Sequence, residues 1–308
     1  MSRTGAAGRS NILAEAAGIF LIYLVSFELA DLVLLRLTEL FCVHGPAGAF
    51  RFFSLYRADI TLAAAALSAA AAFSVLLTAK PYLKERLRSA LPQRLRLRLA
   101  GGIVGDPKME ERRRLQREAF SALPLPMAAV VFTGIFLNLL TTLLAERFPL
   151  IQAAMAGGSQ QTGAASPGML IAVTAVLVPV IEEIVFRLFL YETLAEKEMR
   201  GANNAFPEKG HLHVARRAAV ISSVLFGLSH GATLQAVYAL IMGFALCVIF
   251  ELRGGLAASA LTHACVNLLV SVLMFTGLME SLATPACCAA FGAIALLLAV
   301  AAFRRKAP

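Results

Sequence analysis

Residues 178–187 read Val-Pro-Val-Ile-Glu-Glu-Ile-Val-Phe-Arg and place two adjacent glutamates, Glu182 and Glu183, inside an apolar stretch. An ionisable side chain at bilayer depth costs at least about 2.5–3.5 kcal/mol on insertion scales, so it normally faces a protein interior or a water-filled cavity. Such residues usually have a function there. The two glutamates are therefore the first candidates for a functional site, provided that the stretch lies in a membrane.

The composition places the chain in a membrane. Its 308 residues are 59% hydrophobic and only 15% charged, and the mean hydropathy is +0.75, outside the range of soluble domains. A bilayer core needs roughly 20 apolar residues per helix, and about eight windows qualify. We predict an all-α, polytopic membrane helix bundle of about eight transmembrane helices with an intramembrane active site. The predicted spans are residues 16–36, 60–79, 121–144, 168–190, 216–230, 232–250, 254–278 and 284–303.

The basic residues predict the orientation and the location. Twelve of the 28 Lys and Arg lie in residues 80–117. Eight spans with both termini in the cytoplasm put this run and most other basic residues on the cytoplasmic side, as the positive-inside rule requires. These features fit a bacterial inner membrane, with a eukaryotic endoplasmic reticulum as the alternative.

The net charge of +9 raises the question of nucleic acid as a partner. The densest basic run lies directly beside two predicted spans, where attraction to anionic headgroups is worth about 1 kcal/mol per basic residue. We therefore assign the charge to the lipid bilayer and to topology, with docking of a partner as the alternative. We expect no nucleic-acid partner.

Three pairs of residues recur at i, i+4 spacing, which places the members of each pair on one helix face. In the first pair Glu183 precedes Arg187, the favourable order for an ion pair. Glu182 lies about 100° around the same helix and is left without an intrahelical cation, which makes it the better candidate for chemistry. The other pairs are Phe226 with His230 and His263 with Asn267.

One carboxylate, two imidazoles and a carboxamide form a set suited to hydrolysis. A carboxylate in a site of low dielectric can remove a proton from water as a general base. Imidazole and amide groups can donate hydrogen bonds to the oxyanion that develops on a scissile carbonyl. Each pair also has a structural interpretation, as an ion pair, a packing histidine or an interhelical clamp. That all three are structural in one chain is the less favoured reading.

In order and spacing these motifs resemble those of the CPBP intramembrane peptidases, the CAAX protease and bacteriocin-processing family, which are relatives of the Ras-converting endopeptidase. A glycine-containing helix at 243–252 followed by the turn Arg253-Gly254-Gly255 adds to the resemblance. It covers about residues 165–275, within a helical membrane domain of residues 121–308. Residues 1–120, which hold the first membrane helices and the basic loop, match no motif and are candidates for substrate determinants.

The resemblance implies an intramembrane endopeptidase that cleaves a membrane-associated protein or peptide near the cytoplasmic side. Glu182 with His230 would activate water, and His263 with Asn267 would stabilise the oxyanion. The supporting residues would be Glu183, Arg187 and, in the substrate pocket, Phe226. The alternatives are a non-catalytic immunity or binding membrane protein and a secondary transporter.

The metal requirement is the open point of this mechanism. We favour a glutamate peptidase without a cofactor, because the chain has no His-Glu-x-x-His helix and the polar set suffices for hydrolysis. Zinc, bound by Glu182, His230 and His263, is the alternative. The identity of the substrate, its prenylation and the oligomeric state do not follow from the sequence.

Overall fold

The computed structural model describes residues 3–46, 48–90, 123–153, 165–201, 215–231, 234–251 and 255–304. Every regular element in these ranges is helical, which confirms the predicted all-α class. The chain order is α1 Arg3–His44, α2 Ala49–Ala79, α3 Tyr82–Ala90, α4 Pro124–Arg147, α5 (residues 167–201), α6 Arg216–Leu228, α7 Leu234–Ile249, α8 Gly255–Phe275, α9 Leu278–Leu282 and α10 Pro285–Arg304.

Within the described residues, six helices are long and apolar enough to cross a bilayer. They confirm that the chain is a polytopic membrane protein. The predicted spans at 216–230 and 232–250 form the shorter helices α6 and α7, of 13 and 16 residues. At 1.5 Å per residue these helices are about 20 and 24 Å long, less than the thickness of a bilayer core. The count of eight spans therefore stays a prediction.

Helices α6 and α7 form a tight hairpin beside the site. The turn between them contains Gly231, whose φ of +83° is a conformation that glycine adopts without steric cost. A Cβ on Gly227 would lie 2.7 Å from the carbonyl oxygen of Ala236, so only glycine permits this approach. The hairpin fixes the end of α6, which carries one of the predicted site histidines.

Helices α1 and α2 pack against each other. Polar side chains of α1 also form hydrogen bonds at two positions along this contact. Asp31, one of the acids that interrupts the first span, accepts a hydrogen bond from Ser68 at 3.4 Å. Nearer the start of α1, Glu15 accepts hydrogen bonds from the Lys80 ammonium at 2.8 Å and from the Tyr82 hydroxyl. Burial and the bond to Glu15 raise the pKa of Tyr82.

The N-terminal helices share one core with the protease-like region. The buried cluster combines Phe20 and Tyr23 of α1, Leu76 of α2 and Phe186 of α5. At the same end of the bundle Arg86 of α3 forms ion pairs with Glu192 at 3.2 Å and Glu196 at 2.9 Å. The predicted domain boundary at residue 120 lies outside the described residues, as does the basic run beyond Ala90.

Helix α5 alternates between α-helical and π-helical backbone. Its segments are Pro167–Leu170, π-helical Ile171–Leu177, Val178–Glu183, π-helical Ile184–Tyr191 and Glu192–Gly201. Pro179 explains the first change of register, because proline has no N–H to donate and its ring crowds the preceding turn. π-Helical turns inside α-helices are frequent at functional sites, and here they flank the two glutamates.

Candidate active site

The two adjacent glutamates occupy different environments at the end of the segment Val178–Glu183. Glu183 is fully buried, whereas 14% of the Glu182 side chain remains accessible. The angle of about 100° between consecutive helical residues turns Glu183 into the bundle and Glu182 toward the open side. This difference agrees with the predicted division of roles, in which Glu182 is free for chemistry.

Glu183 joins two other motif residues. One oxygen lies 3.3 Å from Nε of Arg187, which is the predicted ion pair. The other lies 3.0 Å from Nδ1 of His263 on α8. An ionised carboxylate only accepts hydrogen bonds, so Nδ1 carries the proton, and Nε2 of His263 is turned away from Glu183. The contact between Glu183 and His263 was not foreseen from the sequence, because spacing reveals only partners on the same helix.

Glu182 faces both predicted histidines. One carboxylate oxygen lies 3.8 Å from Nε2 of His230, and the other lies 3.9 Å from Nε2 of His263. Nδ1 of His230 donates to the carbonyl oxygen of Phe226 at 2.8 Å, which directs Nε2 toward Glu182. Distances near 3.8 Å are too long for direct hydrogen bonds, but a water about 2.8 Å from both atoms fits such a gap.

Asn267 reaches across to the first π-helical segment. Its Nδ2 donates to the carbonyl oxygen of Thr174 at 2.9 Å. That carbonyl has lost its helical partners: the N–H of Val178 bonds to Val173 instead, and Pro179 has none to offer. The asparagine therefore satisfies a backbone acceptor that the change of register exposes, and its second N–H is left for another acceptor. Thr174 was not predicted as part of the site; Pro179 is the sequence signal that could have indicated it.

Phe226 lies at the centre of the site. Its ring centroid is 4.7 Å from the His230 ring, 5.9 Å from the His263 ring and 5.0 Å from the Phe186 ring. The Arg187 guanidinium carbon lies 4.6 Å from the same centroid, in cation–π geometry. Phe226 thus holds both imidazoles in place, which agrees with its predicted role of shaping the pocket.

Arg187 is fully buried and compensates the charge of Glu183. Among the described residues, its Nη1 and Nη2 have no hydrogen-bond partner, so the carboxylate and the aromatic ring are its main contacts. A buried ion needs such compensation, because desolvation costs several kcal/mol per ion. Removal of either partner would therefore leave an uncompensated charge buried beside the site.

One carboxylate and two imidazoles are chemically suitable ligands for zinc. The residues that would hold it are Glu182, His230 and His263. Among the described residues, however, no group of three His, Cys, Asp or Glu has the spacing of a metal site.

The comparison with protein families agrees with the geometry. Residues 164–269 match the sequence model of the family described as Rce1-like, type II CAAX prenyl endopeptidase Rce1-like. The match spans about a third of the chain and includes all of the predicted site residues. This region is therefore similar to the Rce1-like protease family, and the predicted resemblance to the CPBP peptidases is confirmed. Neither the curated proteins nor the solved structures yielded a match.

Proposed function

We propose that this protein is an intramembrane endopeptidase in which Glu182 and His230 activate a water molecule. The observation that carries the proposal is the convergence of one partly accessible carboxylate with two imidazoles, one from the turn after α6 and one from α8, at 3.8 and 3.9 Å. No packing role among the described residues requires these three groups to meet. Their arrangement fits a water held between a base and its partners.

The reaction begins when Glu182 takes a proton from the bound water as the water attacks the scissile carbonyl. The Nε2 lone pair of His230 accepts a second hydrogen bond from that water, which orients it. Negative charge then develops on the carbonyl oxygen and needs donors. The protonated carboxyl of Glu182 finally delivers its proton to the leaving amine.

His263 and Asn267 are placed to supply those donors. With Nδ1 donating to Glu183, the His263 ring can also donate from Nε2 only as an imidazolium. The second N–H of Asn267 is the other donor. Removal of one oxyanion donor typically costs about 10²–10³ in kcat.

The substrate proposed is a membrane-associated protein or peptide cut near the cytoplasmic side of the bilayer. Glu182 precedes Glu192, the first residue of the ion-pair cluster with Arg86, by ten residues, or about 15 Å of helix. The charged cluster indicates an aqueous end, so the site would lie within reach of water from that side. We further propose cytoplasmic termini and a bacterial inner membrane, from the basic residues near that end.

The decisive experiment is cleavage of membrane-tethered peptides by the purified protein in lipid vesicles, with prenylated and unprenylated C-terminal tails as separate arms. We expect Glu182→Gln and His263→Ala to abolish cleavage. Glu280→Gln, on exposed helix α9, is the matched control and should retain full activity. Activity in the presence of a chelator supports the glutamate mechanism; loss with rescue by zinc assigns the metal-dependent alternative.

The other classes of function give different results in the same assay. If the folded protein cuts nothing but binds one of the tethered peptides, it is a binding or immunity protein. Solute flux across the vesicles that depends on Glu182 would identify a transporter. Cleavage that survives Glu182→Gln refutes the proposed site.

A further inference from the structure

Ser222 on α6 forms a hydrogen bond to a neighbouring helix. Its hydroxyl donates to the carbonyl oxygen of Phe186 on α5 at 2.8 Å, and the side chain is fully buried. The next residue, Ser223, is equally buried, but its hydroxyl donates to the carbonyl of Ala219 in its own helix at 2.6 Å. That local bond is a common one for a serine inside a helix. Two adjacent hydroxyls of the same burial thus make different contacts, one between helices and one within a helix.

The acceptor of the Ser222 bond lies in the second π-helical segment of α5, Ile184–Tyr191. The first π-helical segment accepts a bond of the same kind, from the Asn267 amide to the carbonyl of Thr174. Each segment is therefore bonded to a side chain of another helix, and the turns that carry the two glutamates lie between them. π-Helical backbone is rare and occurs mostly as single turns. Two such segments in one helix need contacts that hold them.

We propose that Ser222 is a positioning residue of the site, which holds the second π-helical segment and the register between α5 and α6. The inference rests on the proposed function for its effect on cleavage. Ser222, Phe226 and His230 recur every four residues and continue one helix face. The Phe226 ring lies 5.0 Å from the ring of Phe186, and His230 faces Glu182. This face thus meets α5 at three successive turns, and Ser222 contributes a hydrogen bond to the contact.

The π-helical geometry decides where the side chains of this part of α5 point. A π-helical turn closes its hydrogen bond one residue later than an α-helical turn. A return of the segment to α-helical geometry would therefore rotate the residues after the change by about 100°. Arg187 lies in this segment and pairs with Glu183 at 3.3 Å, and Glu183 in turn binds His263. A change of register would disturb this chain of contacts.

Helix α7 holds α6 from another side. A Cβ on Gly243 of α7 would lie 3.1 Å from Cδ1 of Phe226 and 3.2 Å from Cα of Ser223. The two helices of the hairpin are therefore in close contact at the level of the Ser222 bond. Because α6 is fixed in this way, loss of the bond should loosen the π-helical segment of α5 more than α6 itself.

The first test compares the cleavage of tethered peptides by Ser222→Ala and Ser223→Ala, the same change at two adjacent buried positions. Misplacement of a reacting group by about 1 Å can cost roughly 10²-fold in rate. The smaller shift expected in Ser222→Ala should lower kcat roughly 10-fold and leave KM within about twofold. Ser223→Ala should keep both parameters within about twofold. An unchanged kcat in Ser222→Ala, or an equal loss in both variants, overturns the proposal.

The second test needs no cleavage. Amide hydrogen exchange of the full-length protein in lipid reports how firmly each segment is held. Residues 184–191 should exchange at least about threefold faster in Ser222→Ala than in the wild type. Residues 171–177 should be unchanged, and Ser223→Ala should resemble the wild type in both segments. Unchanged exchange at 184–191, or an equal rise in all helices, refutes the inference. Faster exchange confined to 184–191 in a protein that cuts no peptide supports the holding role of Ser222 while the proposed function fails.

Discussion

Replacing the two adjacent glutamates by glutamine, one at a time, should separate the stability of the fold from catalysis, because the two side chains have different surroundings. Glu183 and Arg187 are both fully buried, with 3.3 Å between oxygen and Nε. Glu183→Gln leaves the Arg187 charge without its counter-ion, and breaking a buried pair in this way costs about 3–5 kcal/mol. It also weakens the bond to His263. We expect a total loss of about 4 kcal/mol, which is a factor of roughly 10³ in the folding equilibrium.

Glu182→Gln is the matched control, because it is the same change one position earlier. Glu182 is partly accessible, and its contacts with the two histidines are 3.8 Å or longer. Its replacement should change the free energy of unfolding by less than about 1 kcal/mol and still abolish cleavage. Stability is measured by reversible unfolding in mixed micelles, in which the fraction of folded protein is recorded as the proportion of denaturing detergent increases.

A double variant isolates the ion pair from the rest of the site. Arg187→Met removes the cation with a side chain of similar length, so Glu183→Gln with Arg187→Met leaves no unpaired charge. The double variant should recover at least about 2 kcal/mol relative to the sum of the single changes. It should remain inactive, because His263 still lacks its carboxylate. A cost below 1 kcal/mol for Glu183→Gln, or strict additivity, would refute the argument from charge compensation.

Three further predictions concern the helices around the site. Asn267→Ala should lower kcat about 10²–10³-fold. It should also lower the free energy of unfolding by about 1 kcal/mol, since the Thr174 carbonyl loses its donor. Cleavage kinetics and unfolding of the same preparation measure the two effects. Pro179→Ala restores a backbone N–H to the π-helical turn, so stability should rise while kcat falls about 10-fold, and a fall in both would contradict this. A Cβ on Gly134 would lie 2.5 Å from α8, whereas Gly168 has open space. Gly134→Ala should therefore destabilise by about 1–3 kcal/mol and Gly168→Ala should not, as thermal unfolding can show.

The sequence predicts most of the membrane fold because long apolar helices leave a strong local signal. Three charge-free stretches became helices close to their predicted bounds, namely Pro124–Arg147, Gly255–Phe275 and Pro285–Arg304. The first helix extends beyond the predicted span at both ends, and Asp31 inside it accepts a hydrogen bond from Ser68 of α2. The segments of α6 and α7 were predicted as spans joined by a tight turn at His230-Gly231, and they form helices of 13 and 16 residues.

In the site, too, contacts within one helix could be predicted from the sequence, whereas contacts between helices could not. The i, i+4 pairing of Glu183 with Arg187 was visible in the sequence and is confirmed by the contact. The bonds from Glu183 to His263 and from Asn267 to Thr174 join residues 80 and 93 positions apart, and no local pattern encodes them.

Two different roles are therefore combined in the motif Glu182-Glu183-x-x-x-Arg187, one in the fold and one in the proposed chemistry. Glu183 and Arg187 form a buried pair whose loss would damage the fold, so a protein that had abandoned catalysis would still be expected to need them. Glu182 makes no short contact among the described residues and keeps part of its surface open. Under the proposed function, a carboxylate that contributes little to packing, in a bilayer where charge is costly, is the residue whose replacement should affect cleavage and leave the fold intact. The first glutamate, more than the motif as a whole, is therefore the position at which the proposed peptidase and a non-catalytic protein of the same fold would differ.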